Sequence, residues 1–483
     1  MNTHPTKLLC LAASAALTLS ALPAAAQEAA APAATPAAAQ SAPAPAAAPA
    51  AAAPAAPKVG VTVYGTLNAN FQITQARGAT NPADSVAARN AVSIDSSNVG
   101  VKAQADVVGG LSVLAQCETS GAIDGISASG ICSRNSRVGV SSAYGTLFYG
   151  NWDTPFKLAT GGTKADDPFQ STDVFGYQSL ASSAGFNYKS AAGVSAAGGK
   201  PDASGAYPAC SVVNGFDVRA GNSVVYHSPK VLGASVRLQY SANEFAAADG
   251  KLSPALYGAG INYDWKGLSV LAAFERHDDW YGLAGINVAD KVKVTTGAAA
   301  GDPLTESNPE QLKPKSAAFG ATRPNTATHS SVDTAWRVGA GYQLDTPAGA
   351  TTVSVLVDQL TFTQPGAVVG AVKEYKRLAW QVAAKHRYGD HELRARYNVA
   401  DAGDAKLVGG AAASTDGYGA RQITAGYAYH LSKSAQAYLS WTRIRNERNA
   451  QYTLTIGGSP AVSGKTPKGA DPQAIGLGLR YSF

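Results

Sequence analysis

The last twelve residues, Pro472 to Phe483, constrain this chain most. Ile475, Leu477, Leu479, Tyr481 and Phe483 alternate with Ala474, Gly476, Gly478, Arg480 and Ser482. Successive side chains of a strand point to opposite faces, so one face is apolar and the other small or polar. Tyr and Phe gather at the end, where a membrane-interface girdle needs them. A strand of this kind, ending the polypeptide in Phe, reads as the closing strand of an outer-membrane β-barrel.

The rest of the chain has to supply many similar strands, and it does. From Val59 to Gln75, Val59, Val61, Val63, Gly65, Leu67, Ala69, Phe71 and Ile73 share one face. Thr62, Tyr64, Thr66, Asn68, Asn70, Gln72 and Thr74 share the other. A tilted barrel strand needs about ten residues to cross a bilayer and often runs further. The same pattern recurs over 92–107, 111–119, 132–142, 145–151, 222–228, 231–243, 255–265, 268–278, 332–344, 350–363, 376–388, 391–402, 420–431, 435–449 and 472–483. Sixteen strands result, an even number as single-chain bacterial barrels show. Short connections, such as Ala143-Tyr144, Lys266-Gly267 and Gly389-Asp390, alternate with long ones at about 76–91, 120–131, 152–221, 244–254, 279–331, 364–375, 403–419 and 450–471. Short turns at one rim and long loops at the other mark periplasmic and external ends. No stretch after residue 58 has eighteen consecutive apolar residues, and no amphipathic pattern of period 3.6 stands out, so neither a membrane helix nor a large α/β enzyme is expected.

Ahead of the barrel lie two segments of other kinds. Residues 1–26 have the form of a secretory signal: Lys7, an apolar run from Leu8 to Leu22, then Ala24-Ala25-Ala26 for cleavage near Ala26. Residues 27–57 are almost all Ala and Pro, a composition that buries nothing and is expected to stay disordered and extended in the periplasm. As polyproline II they could reach roughly 90 Å. Residues 58–483 form the barrel. Loss of Lys7 leaves 38 of the 39 basic side chains against 33 acidic ones, too balanced to suggest a nucleic-acid partner.

Several short motifs, in order, carry a resemblance. They are Ser97-Asn98-Val99-Gly100-Val101-Lys102, Ser133-Arg134 through Val138-Gly139-Val140, Tyr144-Gly145-Thr146-Leu147 leading to Gly150-Asn151, Asn222-Ser223-Val224-Val225-Tyr226 with Ser228-Pro229, and Leu479-Arg480-Tyr481-Ser482-Phe483. Over 58–483 the chain resembles Gram-negative general porins of the betaproteobacterial type. The resemblance implies a homotrimer of sixteen-stranded antiparallel barrels, each narrowed by an inward-folded third loop that faces a ladder of basic side chains. That loop begins near Asn151-Trp152-Asp153. Arg134 and Arg219 match two ladder arginines of the family. Asn98 stands where a third is expected, with Lys102 two steps further along the same face.

Strand parity gives a lumen set of its own. Lys102, Arg237, Arg337, Arg377, Lys385, Arg387, Arg394, Arg396 and Arg480 face opposite the apolar residues, as do the acids Asp106, Glu118, Asp264, Glu275, Asp358 and Glu392. A charge turned to lipid at the midplane costs about 2–4 kcal/mol, which favours the inward placement. Bases outnumber acids, so the expected channel has a weak anion preference. Third-loop acids Asp153, Asp166, Asp167 and Asp173 oppose that preference. Arg134 and Arg137 cannot both point inward from an unbroken strand; parity favours Arg137 and the resemblance favours Arg134, which is the preferred inward residue, and a bulge or burial against another subunit would reconcile the two.

Cys117 and Cys132 end one strand and begin the next, in an oxidising compartment, and are expected to form a disulfide. Cys210 is left over. The histidines are scattered over strand ends, and His391-Glu392 has no second His at metalloprotease spacing. No Gly-x-Ser-x-Gly elbow sits at a strand-to-helix turn. The expected function is passive diffusion of small hydrophilic solutes and ions through an outer-membrane pore, with no catalytic residue, metal or cofactor. A substrate-specific channel is the alternative, and a surface adhesin or receptor barrel a more distant one.

Overall fold

The computed structural model describes residues 59–94, 96–121, 130–169, 175–176, 180, 187–188, 210–211, 215–242, 255–279, 331–363, 372–407, 410–456, 459–460 and 466–483. The signal and Ala/Pro segments and Asp173 lie outside the described residues, as does the Cys210 side chain.

Among the described residues, seventeen strands build the wall, and a short hairpin, Asp404–Leu407 with Ala412–Ala413, extends the same sheet from Val372–Lys376. The wall strands are β1 (Val59–Arg77), β2 (Val86–Ser93), β3 (Asn98–Asp106), β4 (Ser112–Ser120), β5 (Ser136–Ser142), β6 (Gly145–Asp153), β7 (Arg219–His227), β8 (Ala234–Ala242) and β9 (Ala255–Trp265). Then follow β10 (Leu268–Asp278), β11 (Val332–Thr346), β12 (Gly349–Thr363), β13 (Val372–Tyr388), β14 (His391–Ala400), β15 (Ala420–His430), β16 (Ala435–Asn446) and β17 (Asp471–Ser482). β2 and β3 share one position, since β2 pairs with the Asn70–Ala76 part of β1 and β3 with Val59–Thr66. The result is a sixteen-stranded antiparallel barrel. β17 closes it on β1, from Thr66↔Ser482 to Arg77↔Asp471.

The split between β2 and β3 was not legible in the sequence, where 76–91 reads as loop. The Ser97 hydroxyl accepts from the Asn68 amide at 2.8 Å, so a side chain stands in where the ladder breaks. Ser96 beside it takes a left-handed backbone, φ 54°. Elsewhere the expected strand ends hold to within a few residues.

Burial runs the opposite way from a water-soluble protein. On β1, Asn68, Asn70, Gln72 and Thr74 are buried inside, and Phe71 and Ile73 are exposed outside. That inversion suits a wall whose outer face meets hydrocarbon and whose inner face meets water and loop backbone. Tyr144, Trp265, Tyr342, Tyr388, Tyr481 and Phe483 stand exposed near the short-turn rim, and Tyr240, Tyr257 and Phe274 toward the loop rim. Two such bands of rings mark the two interfaces. Asp106 and Asp264 sit by the short turns, bonded to Ser112 at 2.6 Å and Lys230 at 2.7 Å. The Cys117–Cys132 disulfide staples the second external loop, with the two Cα atoms 4.7 Å apart.

Candidate pore constriction

The chain leaves the wall after Asp153 and turns into the lumen. Thr154 caps a single helical turn, Pro155–Leu158: its hydroxyl accepts from the Lys157 amide, and Pro155 presets the first φ. Phe156 is fully buried, packed on Phe216 at 6.0 Å. Among the described residues, the loop then runs against the inner wall, and the wall is shaped to receive it.

Three fully buried arginines do most of the holding. Arg337 on β11 binds Asp358 at 2.7 Å and Asp217 at 2.9 Å, donates to the Phe156 carbonyl at 3.0 Å, and lies 4.1 Å from the Phe156 ring centroid. Arg377 on β13 donates to the Leu180 carbonyl at 2.6 Å. Arg396 on β14 binds Asp167 at 2.6 Å and donates to the Phe175 carbonyl at 2.6 Å. Neutral bonds fill the gaps: Asn262 to the Ala159 carbonyl at 2.7 Å, and the Lys164 amide to Ser269 at 3.0 Å. Loop carbonyls carried off the strand ladder need such donors, because an unpaired buried backbone group costs as much as a lost hydrogen bond.

Glycines on the inner face give the loop its seat. A Cβ on Gly341 would lie 2.0 Å from the Lys164 carbonyl oxygen. One on Gly258 would meet Pro155 at 2.7 Å, one on Gly426 would meet Phe169 at 2.9 Å, and one on Gly476 would meet Phe175 at 3.0 Å. Close backbone approach is a standing reason for Gly within a strand.

The sequence-derived charges divide by what they touch. Asn98 is half-buried, its amide to the Ser96 carbonyl at 3.4 Å, and Lys102 is exposed on the inner face beside the Tyr64 ring. Arg134 pairs with Glu118 at 2.8 Å, and Tyr64 donates to the same carboxylate at 2.9 Å. Arg219 and Lys157 bind Asp153 at 3.0 and 3.1 Å, with Asn135 bridging Asp153 and Arg219. Asp153 is therefore neutralised in the wall rather than presented across the pore. Asp167 is likewise occupied, by Arg396. Arg337 and Arg377 face inward as parity expects, but they are buried clamps and not part of a water-lined ladder. Arg237 reaches Asn262 at 2.8 Å and the Leu158 carbonyl at 3.3 Å.

What remains is a basic patch of Lys385, Arg394 and Arg480. Arg394 is paired with Glu392 at 2.6 Å, and Arg480 has no ion-pair partner among the described residues. Asp166 of the loop feels Lys385 and Arg480. One of its oxygens is buried without a hydrogen bond. Burial, helped by the neighbouring Asp167, pushes the Asp166 carboxyl up to about 7 despite the pull of Lys385.

Arg134 and Arg137 both point inward, where parity allowed only one. β5 starts at Ser136, and the preceding residues bend. Asn151 holds that bend by donating to the Ser133 and Arg134 carbonyls, each at 3.1 Å. Arg137 lies over the rings of Phe148 and Trp152, at 4.8 and 4.6 Å. Sequence reasoning missed the clamping role of the arginines, and Asp217 with it. The one available signal was a long loop rich in Phe facing a wall rich in Gly.

A closed sixteen-stranded barrel with polar inner face, apolar outer face, aromatic bands and an inward loop defines an outer-membrane pore protein. The description of the Gram-negative porin family matches residues 13–449, and the chain belongs to that family. Similar solved structures include the anion-selective porin from Comamonas acidovorans, with 18% identity and a TM-score of 0.57 over 88% of this chain and 100% of that one. Outer-membrane expressed OmpT of Vibrio cholerae aligns at 14% identity and 0.49, over 88% and 98%. The outer membrane channel DcaP of Acinetobacter baumannii aligns at 10% and 0.48, over 88% and 97%. No curated protein matches the sequence. Fold and family make the chain a passive channel of the outer membrane and point away from an enzyme.

Proposed function

We propose that this barrel passes small hydrophilic solutes and ions with a weak preference for anions. The supporting observation is the inner-face patch of Lys385, Arg394 and Arg480, with Asp166 the one loop acid opposite it that forms no ion pair among the described residues. A basic wall raises local anion concentration, and Asp166 limits the effect. The Comamonas acidovorans protein, which shares the fold, is an anion-selective porin. Reversal potentials of purified protein in planar bilayers across a potassium chloride gradient test this. A modest chloride preference is expected; a potassium preference overturns the reading.

The assembly is a homotrimer, supported by a small-residue outer patch. Val101, Val113, Val138 and Val140 are exposed on the short strands β3 to β5, where barrels can approach closely. Unheated detergent extracts should run as a trimer on gels and scatter light with three times the chain mass. The mature chain begins after cleavage near Ala26, retains 27–57 as an extended periplasmic segment, and forms its barrel from 58–483. N-terminal sequencing of outer-membrane material checks that boundary.

A further inference from the structure

The inner wall holds a second group of bases, away from Lys385 and Arg480, that form no ion pair among the described residues, although Arg237 feels the Asp264 carboxylate. Among the described residues Arg137 makes no side-chain hydrogen bond and no ion pair; its guanidinium lies on Phe148 and Trp152. His227 packs edge-on against the same two rings, at 5.2 and 6.2 Å, and its Nε2 is buried without a partner. Arg237 is the cross-strand partner of His227, and its two acceptors among the described residues, the Leu158 carbonyl and Asn262, are neutral. Trp152 is 8% exposed, and its indole nitrogen has no acceptor. Arg137 Nε is also without one.

Donors therefore converge from β5, β6, β7 and β8 on one stretch of wall. Arg337, Arg377 and Arg396 each hold a carboxylate or a loop carbonyl, whereas Arg137 holds neither among the described residues. A guanidinium carries five N–H donors in a planar fork that matches a carboxylate or phosphate. Leaving Arg137 unmatched is costly unless something in the lumen supplies acceptors. Phe148 and Trp152 fix the guanidinium plane by cation–π contact, which lowers the entropy cost of capture.

We propose that Arg137, His227 and Arg237, with Trp152 behind them, form an oxyanion-binding subsite on the lumen wall. It takes the carboxylate of a small organic acid or an inorganic phosphate as the solute passes. Binding there is weak by necessity, since a permeating solute must also leave. The inference rests on the lumen being conductive.

The test is chloride conductance of single channels titrated with succinate in one arm and inorganic phosphate in the other. The expected result is a saturable fall in conductance with at least one of them, the stronger one naming the natural class. Arg137→Gln should raise the half-inhibiting concentration about tenfold, the loss expected for one charge-assisted hydrogen bond. Arg237→Gln should raise it similarly. Arg394→Gln, on the other patch, should leave it within about twofold. Unheated gel mobility verifies that each variant is folded; if Arg137→Gln does not fold, Arg137→Lys, which keeps the charge and loses the fork, replaces it and should weaken inhibition too. Inhibition that is linear in both arms overturns the subsite. So does equal weakening by Arg394→Gln, which would mean a diffuse field. Absence of any conductance would instead overturn the channel reading.

Discussion

Arg396→Gln isolates the loop seat from the barrel that carries it. Arg396 is buried, and its guanidinium holds the Asp167 carboxylate at 2.6 Å, the Phe175 carbonyl at 2.6 Å and the Thr424 hydroxyl at 2.9 Å. It also lies 5.4 Å from the Phe169 ring centroid. Truncating one partner of a buried ion pair typically costs about 3–5 kcal/mol, because the other charge stays behind unpaired. The barrel need not absorb that cost. Asp167 is on a loop, and a loop can lift away so that its carboxylate regains water. The penalty therefore falls on the docked state of the loop and shifts its docking equilibrium by roughly two to three and a half powers of ten. Strand pairing is untouched, so heat-modifiable gel mobility and thermal unfolding of the barrel should stay near wild type. Single-channel records should instead show larger mean conductance and added low-frequency noise. Replacing both partners, Arg396→Met with Asp167→Leu, should restore much of the quiet behaviour, since neither charge is then left buried. If Arg396→Gln conducts with the wild-type amplitude and noise, the clamp does not set the constriction, and the argument from burial fails.

Three other predictions concern the same loop. Asp166 has its folded-state carboxyl raised to about 7, so it is neutral below that pH and an anion above it. Anion preference should therefore decline as pH rises from about 6 to 8, and Asp166→Asn should abolish the dependence; reversal potentials at matched salt decide it. Because the same group titrates near 4 when undocked, docking of the loop should weaken as pH rises between about 4 and 7. Gly341→Ala places a methyl against the Lys164 carbonyl and should unseat that stretch of loop, raising conductance, whereas Gly60→Ala meets only the Gln104 carbonyl at 3.8 Å and should conduct normally. Equal behaviour of the two variants would remove the case for a glycine seat.

Much of this protein is written locally. A period of two over ten or more residues, with turn residues at the breaks, specifies barrel strands wherever they occur, and β17 and β1 show it most plainly. Parity put Arg337, Arg377, Arg394, Arg396 and Arg480 on the inner face, because a charge turned to lipid is costly, and Arg337, Arg377 and Arg396 reach the inward loop from there. The Cys117–Cys132 pairing followed from the hairpin that brings the two together. What parity could not say is what each inward side chain meets. Asp167 and Arg396 are 229 positions apart, and Gly341 lies 177 positions after Lys164. Only closure of the barrel and the inward course of the loop bring them into contact. The sequence reading therefore counted Arg337 and Arg377 among the pore-lining bases, although tertiary contacts bury both. It preferred Arg134 over Arg137 and left a bulge as the way to admit both; side-chain bonds from Asn151 hold such a bend in the backbone. Alternation is a property of the backbone and survives in any single strand. Charge balance at the constriction depends on which buried partners cancel, and that exists only once sixteen strands and one loop share a lumen.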